Sequence, residues 1–254
     1  MKSKRFKTGI PGFDSLFSEG IPYGSSVLVE GGPGSGKTNF CLQLCYNAIK
    51  QGKKALFMSF EEPEPKLREH MEEFGYNPEK FEKEKKLMMK RFNALDISRS
   101  VEALLSEAKK ELLIDIQPVL IPKDFDPDIV CIDSLSAIAS AFTGEEARFR
   151  IYMEQLFRYL ENHEITTFLV REIANPTHIG NVYVERGEAV SFLSDGIIVL
   201  YNVFYPNGSR DRAIEVLKMR GENIDTRIVK AKLVNGKGFM VLPKEELQGK
   251  YTLT

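Results

Sequence analysis

The sequence predicts an α/β fold: a mainly parallel sheet flanked by helices, with a C-terminal antiparallel strand extension. Three observations carry this. Short apolar runs alternate with helix-spaced segments over residues 26–171. A glycine-rich turn, GGPGSGKT (31–38), joins the first such run to the first such helix. From residue 196 onward the runs GIIVLYN, AIEVLKM, TRIVKAKL and GFMVL follow one another with no helical spacing between them, as in an antiparallel meander.

Residues 26–30 (SVLVE) read as a short buried strand. Residues 37–50 carry apolar side chains at 40, 41, 44, 45 and 48, a helical spacing, and Gly52 supplies the stop. Residues 54–60 form the next strand, which ends on two adjacent carboxylates, Glu61 and Glu62. Residues 64–91 are dense in charge, with apolar positions at 67, 71, 74 and 81. They predict an exposed helix, a turn at Gly75–Pro78 and a second short helix. A strand follows at 87–92, then a helix over 99–114. Residues 115–127 hold three prolines and read as a loop. DIVCID (128–133) is an apolar strand ending in Asp133; 145–162 is an amphipathic helix, 165–171 a strand, and 174–192 polar and irregular. No repeat and no linker interrupts the pattern, so one domain over 1–254 is expected.

The 254 residues, 43% hydrophobic, suffice for one sizeable core. A net charge of −1 gives no global field toward nucleic acid or an anionic membrane. The basic start, MKSKRFK, reads as a solvated tail. No apolar run is long enough to span a bilayer, and the N-terminus lacks the apolar stretch of a signal peptide. Three sparse cysteines in apolar context, Cys41, Cys45 and Cys131, argue for a reducing, cytoplasmic setting. Cys41 and Cys45 share a helix face, but His70, His163 and His178 lie too far along the chain to suggest a metal–thiolate site.

Residues 31–38 match G-x-x-x-x-G-K-[ST] through Gly31, Gly36, Lys37 and Thr38, between a predicted strand and a predicted helix. Glycines let backbone N–H groups crowd around phosphate oxygens, and the helix points its positive end at the same charge. The phosphate-cradling set is therefore Gly32, Pro33, Gly34, Ser35, Gly36, Lys37, Thr38 and Asn39. Lys37 would reach the terminal phosphates of a nucleoside triphosphate, and the Thr38 hydroxyl would ligate Mg²⁺. Asp133, at the carboxyl edge of the sheet, is the second expected metal-side group; the plainer alternative is a strand-end Asp capping the next turn. Glu61 and Glu62 reach the same rim. One would orient and deprotonate an attacking water while the other tunes it by like-charge proximity. Alternatively the pair serves the dipole of the following helix.

Together these motifs resemble the KaiC-like branch of the RecA superfamily of ATPases, as a single KaiC-type domain from end to end. The resemblance runs through TGIPGFDSLFSEGIPYGS (8–25), SFEEP (59–63), VCIDSLSAI (130–138), SFLSDGIIVL (191–200) and RAIEVLKMRG (212–221). It implies a RecA-like core, Mg-dependent ATP hydrolysis, and a homo-oligomer, usually a hexameric ring with ATP between subunits. It also implies that Lys218 and Arg220 reach the γ-phosphate held by a neighbouring subunit, where an added cation is worth about 10³–10⁵ in rate. A basic strand end is the bland alternative. By the same resemblance Glu172, after strand 165–171, falls at the sensor position, where recombinases carry glutamine; a solvated Glu is the plain alternative. The clock members of the family have two such domains and adjacent phosphorylatable Ser and Thr residues. This chain has one domain and no counterpart of that pair, so an autokinase role does not carry over. Three functions stay open: a slow ring ATPase signalling to a protein partner, a DNA-binding recombinase- or helicase-like motor, and a non-hydrolysing ATP switch. The segment 174–190 offers Arg186 against Glu185 and Glu188, which counts against a DNA-binding loop.

Overall fold

The strands that were read as unbroken apolar runs are buried on both sides. The computed structural model describes residues 4–99, 121–122, 124–173 and 188–254. In chain order the elements are β1 (Arg5–Phe6), β2 (Ile21–Pro22), β3 (Ser26–Gly31), α1 (Lys37–Lys50), β4 (Ala55–Ser59), α2 (Glu64–Glu73), α3 (Pro78–Lys83), β5 (Leu87–Arg91), β6 (Ile129–Asp133), α4 (Leu135–Ser140), α5 (Glu146–Asn162), β7 (Thr166–Glu172), α6 (Glu188–Leu193), β8 (Gly196–Phe204), β9 (Arg210–Met219), β10 (Val229–Val234), β11 (Gly238–Leu242) and β12 (Thr252–Leu253). Among the described residues the main sheet runs β11-β10-β9-β8-β3-β7-β6-β4-β5, with β12 added on β8.

From β8 through β5 every neighbouring pair is parallel, and β8 to β11 form the antiparallel extension. Side chains alternate across each strand. Val27, Val29, Ala55, Phe57, Ile129 and Cys131 enter the core under α1 and α2. Leu28, Leu56, Met58, Val130 and Ile132 enter the core under α4 and α5. Two layers of helix on one parallel sheet therefore follow from strands with no polar face.

Several elements differ from the sequence reading. Strand β4 stops at Ser59, and Glu61 and Glu62 lie in the bend beyond it. The Ser59 hydroxyl accepts from the N–H of Glu61 at 3.3 Å and of Glu62 at 2.9 Å, which turns the chain out of the sheet. Strand alternation therefore does not assign the two carboxylates to opposite faces. Residues 188–192, expected to be irregular, lie in the helix Glu188–Leu193. Helix α4, β1, β2 and β12 were not foreseen. The helix expected over 99–114 is seen only as a start at 94–99; residues 100–114, most of the proline-rich loop, and residues 174–187 with Glu185 and Arg186 lie outside the described residues. No helix among the described residues is long and apolar enough to cross a membrane.

Candidate functional site

The carboxyl ends of β3, β4, β6 and β7 lie side by side, because the parallel register pairs Gly31 with Glu172 and Ser59 with Asp133. The chain leaves β3 through Gly31 at φ 156°. A Cβ there would overlap the Leu200 carbonyl of β8, so only glycine lets the loop depart this close to its neighbour. Residues 32–36 then wrap around and open α1 at Lys37. No side chain caps that helix, so its first N–H groups remain for a ligand. The Ser35 hydroxyl, a potential donor, is buried with no hydrogen-bond partner among the described residues. An anion with several oxygens fits such a cradle.

Lys37 is 7% exposed; its ammonium donates to the Gly32 carbonyl at 3.0 Å and stands 3.8 Å from Glu172. The Thr38 hydroxyl donates to Asp133 at 2.7 Å, across 95 positions of sequence. Burial first, and then the nearby Glu61, push the Asp133 carboxyl up to about 6, against the lowering effect of the Thr38 hydrogen bond. Glu61 accepts from the Ser134 hydroxyl at 2.5 Å, which places it beside Asp133. Glu62 turns the other way, onto α2, with Lys66 at 3.0 Å and His70 at 3.8 Å. Neither carboxylate is in the first turn of α2, where Glu64 stands instead.

Two residues missed by the sequence reading join the loop from the hairpin of β8 and β9. Asn202 donates to the Pro33 carbonyl at 3.1 Å, and Arg212 to the Gly34 carbonyl at 3.3 Å. They are direct cross-strand partners. The signal for them was the length of this hairpin, which runs beyond the end of β3 and hangs over the glycine-rich turn.

Lys218 and Arg220 are not in this group. They sit at the opposite rim, where β9 meets the start of β8. The Lys218 ammonium donates to the carbonyls of Ser191 at 3.1 Å and Ser194 at 2.5 Å. Burial and the adjacent Arg220 hold it below the usual lysine range. Arg220 donates to the Phe192 carbonyl at 2.7 Å and contacts Asp195 at 3.4 Å.

The family model described as "ATPase: KaiC" matches residues 6–246. A UPF0273 protein of Thermotoga maritima is 30% identical over 256 residues, covering 97% of this chain and 99% of its own. A circadian clock oscillator protein KaiC of Parasynechococcus marenigrum is 31% identical over 87% of this chain, which spans 41% of that protein's length. The crystal structure of a KaiC-like protein from the hyperthermophilic archaeon Pyrococcus horikoshii superposes with a TM-score of 0.73 at 29% identity, over 95% of this chain and all of that one. A phosphate cradle on a RecA-like sheet, matched by the family model across nearly the whole sequence, makes this chain a member of the KaiC family of ATPases.

Proposed function

We propose that residues 1–254 form one domain that binds ATP at residues 31–38 and hydrolyses its terminal phosphate, as a subunit of a cytoplasmic ring, usually of six. One observation carries the reading: Thr38 from the uncapped helix and Asp133 from the neighbouring strand meet at 2.7 Å, with Glu61 held beside them. Glu61, oriented by the Ser134 hydroxyl, takes the proton of the attacking water. Glu62, tied to Lys66, contributes charge rather than contact. Lys37 is held by the Gly32 carbonyl where the terminal phosphate would lie, and Glu172 flanks it from β7.

Thr38 and Asp133 would hold Mg²⁺, which when bound neutralises phosphate charge in the transition state. Among the described residues no group of three or more His, Cys, Asp and Glu forms a metal cage. The remaining ligands would therefore be phosphate oxygens and water, the usual habit of this ion.

Lys218 pairs with Ile197, three residues before Leu200, the register partner of Gly31; it therefore stands roughly 10 Å down the sheet from the loop, and Arg220, opposite Asp195, lies further still, with their heads bound on the far side. They serve the site of an adjoining subunit rather than their own. The test is phosphate release with and without Mg²⁺. Lys37→Ala should abolish tight ATP binding and turnover. Turnover unchanged in that variant would remove the site from residues 31–38.

A further inference from the structure

We propose that Arg171 is a positioning residue, linking the strands that flank the chain's own phosphate loop to the seat of Lys218. The inference rests on the reading of Lys218 as a group offered to a neighbouring site.

Arg171 and Glu172 are consecutive on β7 and point to opposite faces. Glu172 stands 3.8 Å from the Lys37 ammonium. Arg171 turns the other way, to Glu30, its direct register partner on β3 and the residue before Gly31. The same terminal nitrogen of Arg171 donates to the Ser191 hydroxyl of α6 at 2.8 Å. The Ser191 carbonyl accepts from Lys218 at 3.1 Å and from the Ser194 hydroxyl at 3.0 Å. Arg220 holds the Phe192 carbonyl of the same helix. One short helix thus carries both cations, and Arg171 fastens that helix to β3 and β7.

The links are desolvated: Glu30 is 5%, Ser191 7% and Ser194 0% exposed. Water cannot replace a broken contact there, and a buried polar group left without its partner is costly. A shift of β7 against β3 as the phosphate loop fills is therefore transmitted to α6, and with it to Lys218. The chain's own nucleotide state sets the finger it presents to the next subunit.

A bland reading makes Arg171 only the counter-ion of buried Glu30. A kinetic cycle separates the two. Ser191→Ala removes the hydroxyl and leaves the Glu30–Arg171 pair intact, so it tests the link without uncovering a buried charge. Phosphate release and ATP affinity would be measured on Ser191→Ala, Arg171→Met, Lys218→Ala and the double variants. Ser191→Ala should lower kcat about 10–100-fold, the scale of a misplaced catalytic group, with the dissociation constant for ATP within about twofold. On the Lys218→Ala background, Ser191→Ala and Arg171→Met should cause no further loss. Losses that multiply with Lys218→Ala, or a weakened ATP affinity with kcat intact, would overturn the link while leaving the role of Lys218 standing. Full turnover in Lys218→Ala alone would remove that role, and the link with it.

Discussion

Glu61 and Glu62 are adjacent in sequence yet meet different partners. The Ser59 hydroxyl bends the chain at both of their amides, so Glu61 is delivered to Ser134 and Glu62 to Lys66 and His70. The proposed choice of Glu61 as the base rests on that difference. Glu61→Gln should lose about 10²–10⁴ in phosphate release while still binding ATP, and Glu62→Gln should stay within about tenfold. Both are read in one assay of release against a binding titration; equal losses would make the pair act jointly, and a larger loss at Glu62 would reverse the roles. Asp133 yields a second residue-scale expectation. It is a buried carboxylate with Glu61 close by, an arrangement that costs stability in the absence of a metal ion. Asp133→Asn keeps an acceptor for Thr38 and removes the charge. It should stabilise the nucleotide-free chain at pH 8 by about 1–3 kcal/mol, read as a higher melting temperature, while abolishing Mg-dependent turnover. A variant that melts lower than the parent would show that the charge is compensated.

At the scale of elements, legibility tracked how much of an element's character is local. The strands β3, β4 and β6 declared themselves because burial on both faces demands unbroken apolar runs, and α1 because its spacing fits one helical face. Helix α4 has six residues and depends on its position after β6; the Ser134 cap, accepting from Ala137 at 3.3 Å, was its available signal. Strand β12 forms only because β8 outruns β3 and leaves an open edge, where Thr252 pairs with Phe204 and Leu253 with Val203. Nothing in TL alone announces that. The site divides in the same way. The loop and Asp133 were legible as motifs, whereas Asn202 and Arg212 reach the loop through a register that only the folded hairpin defines. The first part of the leading segment 8–25, recognised by resemblance, has a physical account. The Asp14 carboxylate accepts from Thr8 N–H at 2.8 Å, the Thr8 hydroxyl at 2.7 Å and Gly9 N–H at 2.9 Å. Phe13 packs edge-on against Phe40 of α1, with ring centroids 5.3 Å apart. Gly12 has φ 77°, and a Cβ there would overlap the Val241 carbonyl of β11, whose own N–H donates to Pro11 at 2.8 Å. Gly12→Ala should therefore destabilise the chain by more than about 2 kcal/mol, measured by chemical denaturation. A loss under half of that would mean that β11 yields easily.

Across the whole molecule, the loop and the two cations occupy opposite rims of one sheet, and the proposed ring is what would bring them together. A ring of identical subunits uses a heterologous interface, in which one face of each subunit meets a different face of the next. Under that arrangement a Glu61→Gln subunit, which still fills its own phosphate loop with ATP, presents an intact Lys218, and a subunit lacking Lys218 still binds ATP. Glu61→Gln and Lys218→Ala chains would each be nearly inactive alone. Co-expressed in equal amounts and mixed at random, they should regain working sites wherever a Lys218→Ala subunit is followed by a Glu61→Gln one, at about a quarter of all interfaces on combinatorial grounds. Lys218 acting within its own chain predicts the opposite, since every subunit would then carry one defect and the mixture would stay as inactive as its parts. Mass in solution with Mg-ATP, measured on the same mixture, separates a failure to assemble from a failure to complement: an assembled but inactive mixture assigns Lys218 to its own chain, and an active one assigns it to the neighbour.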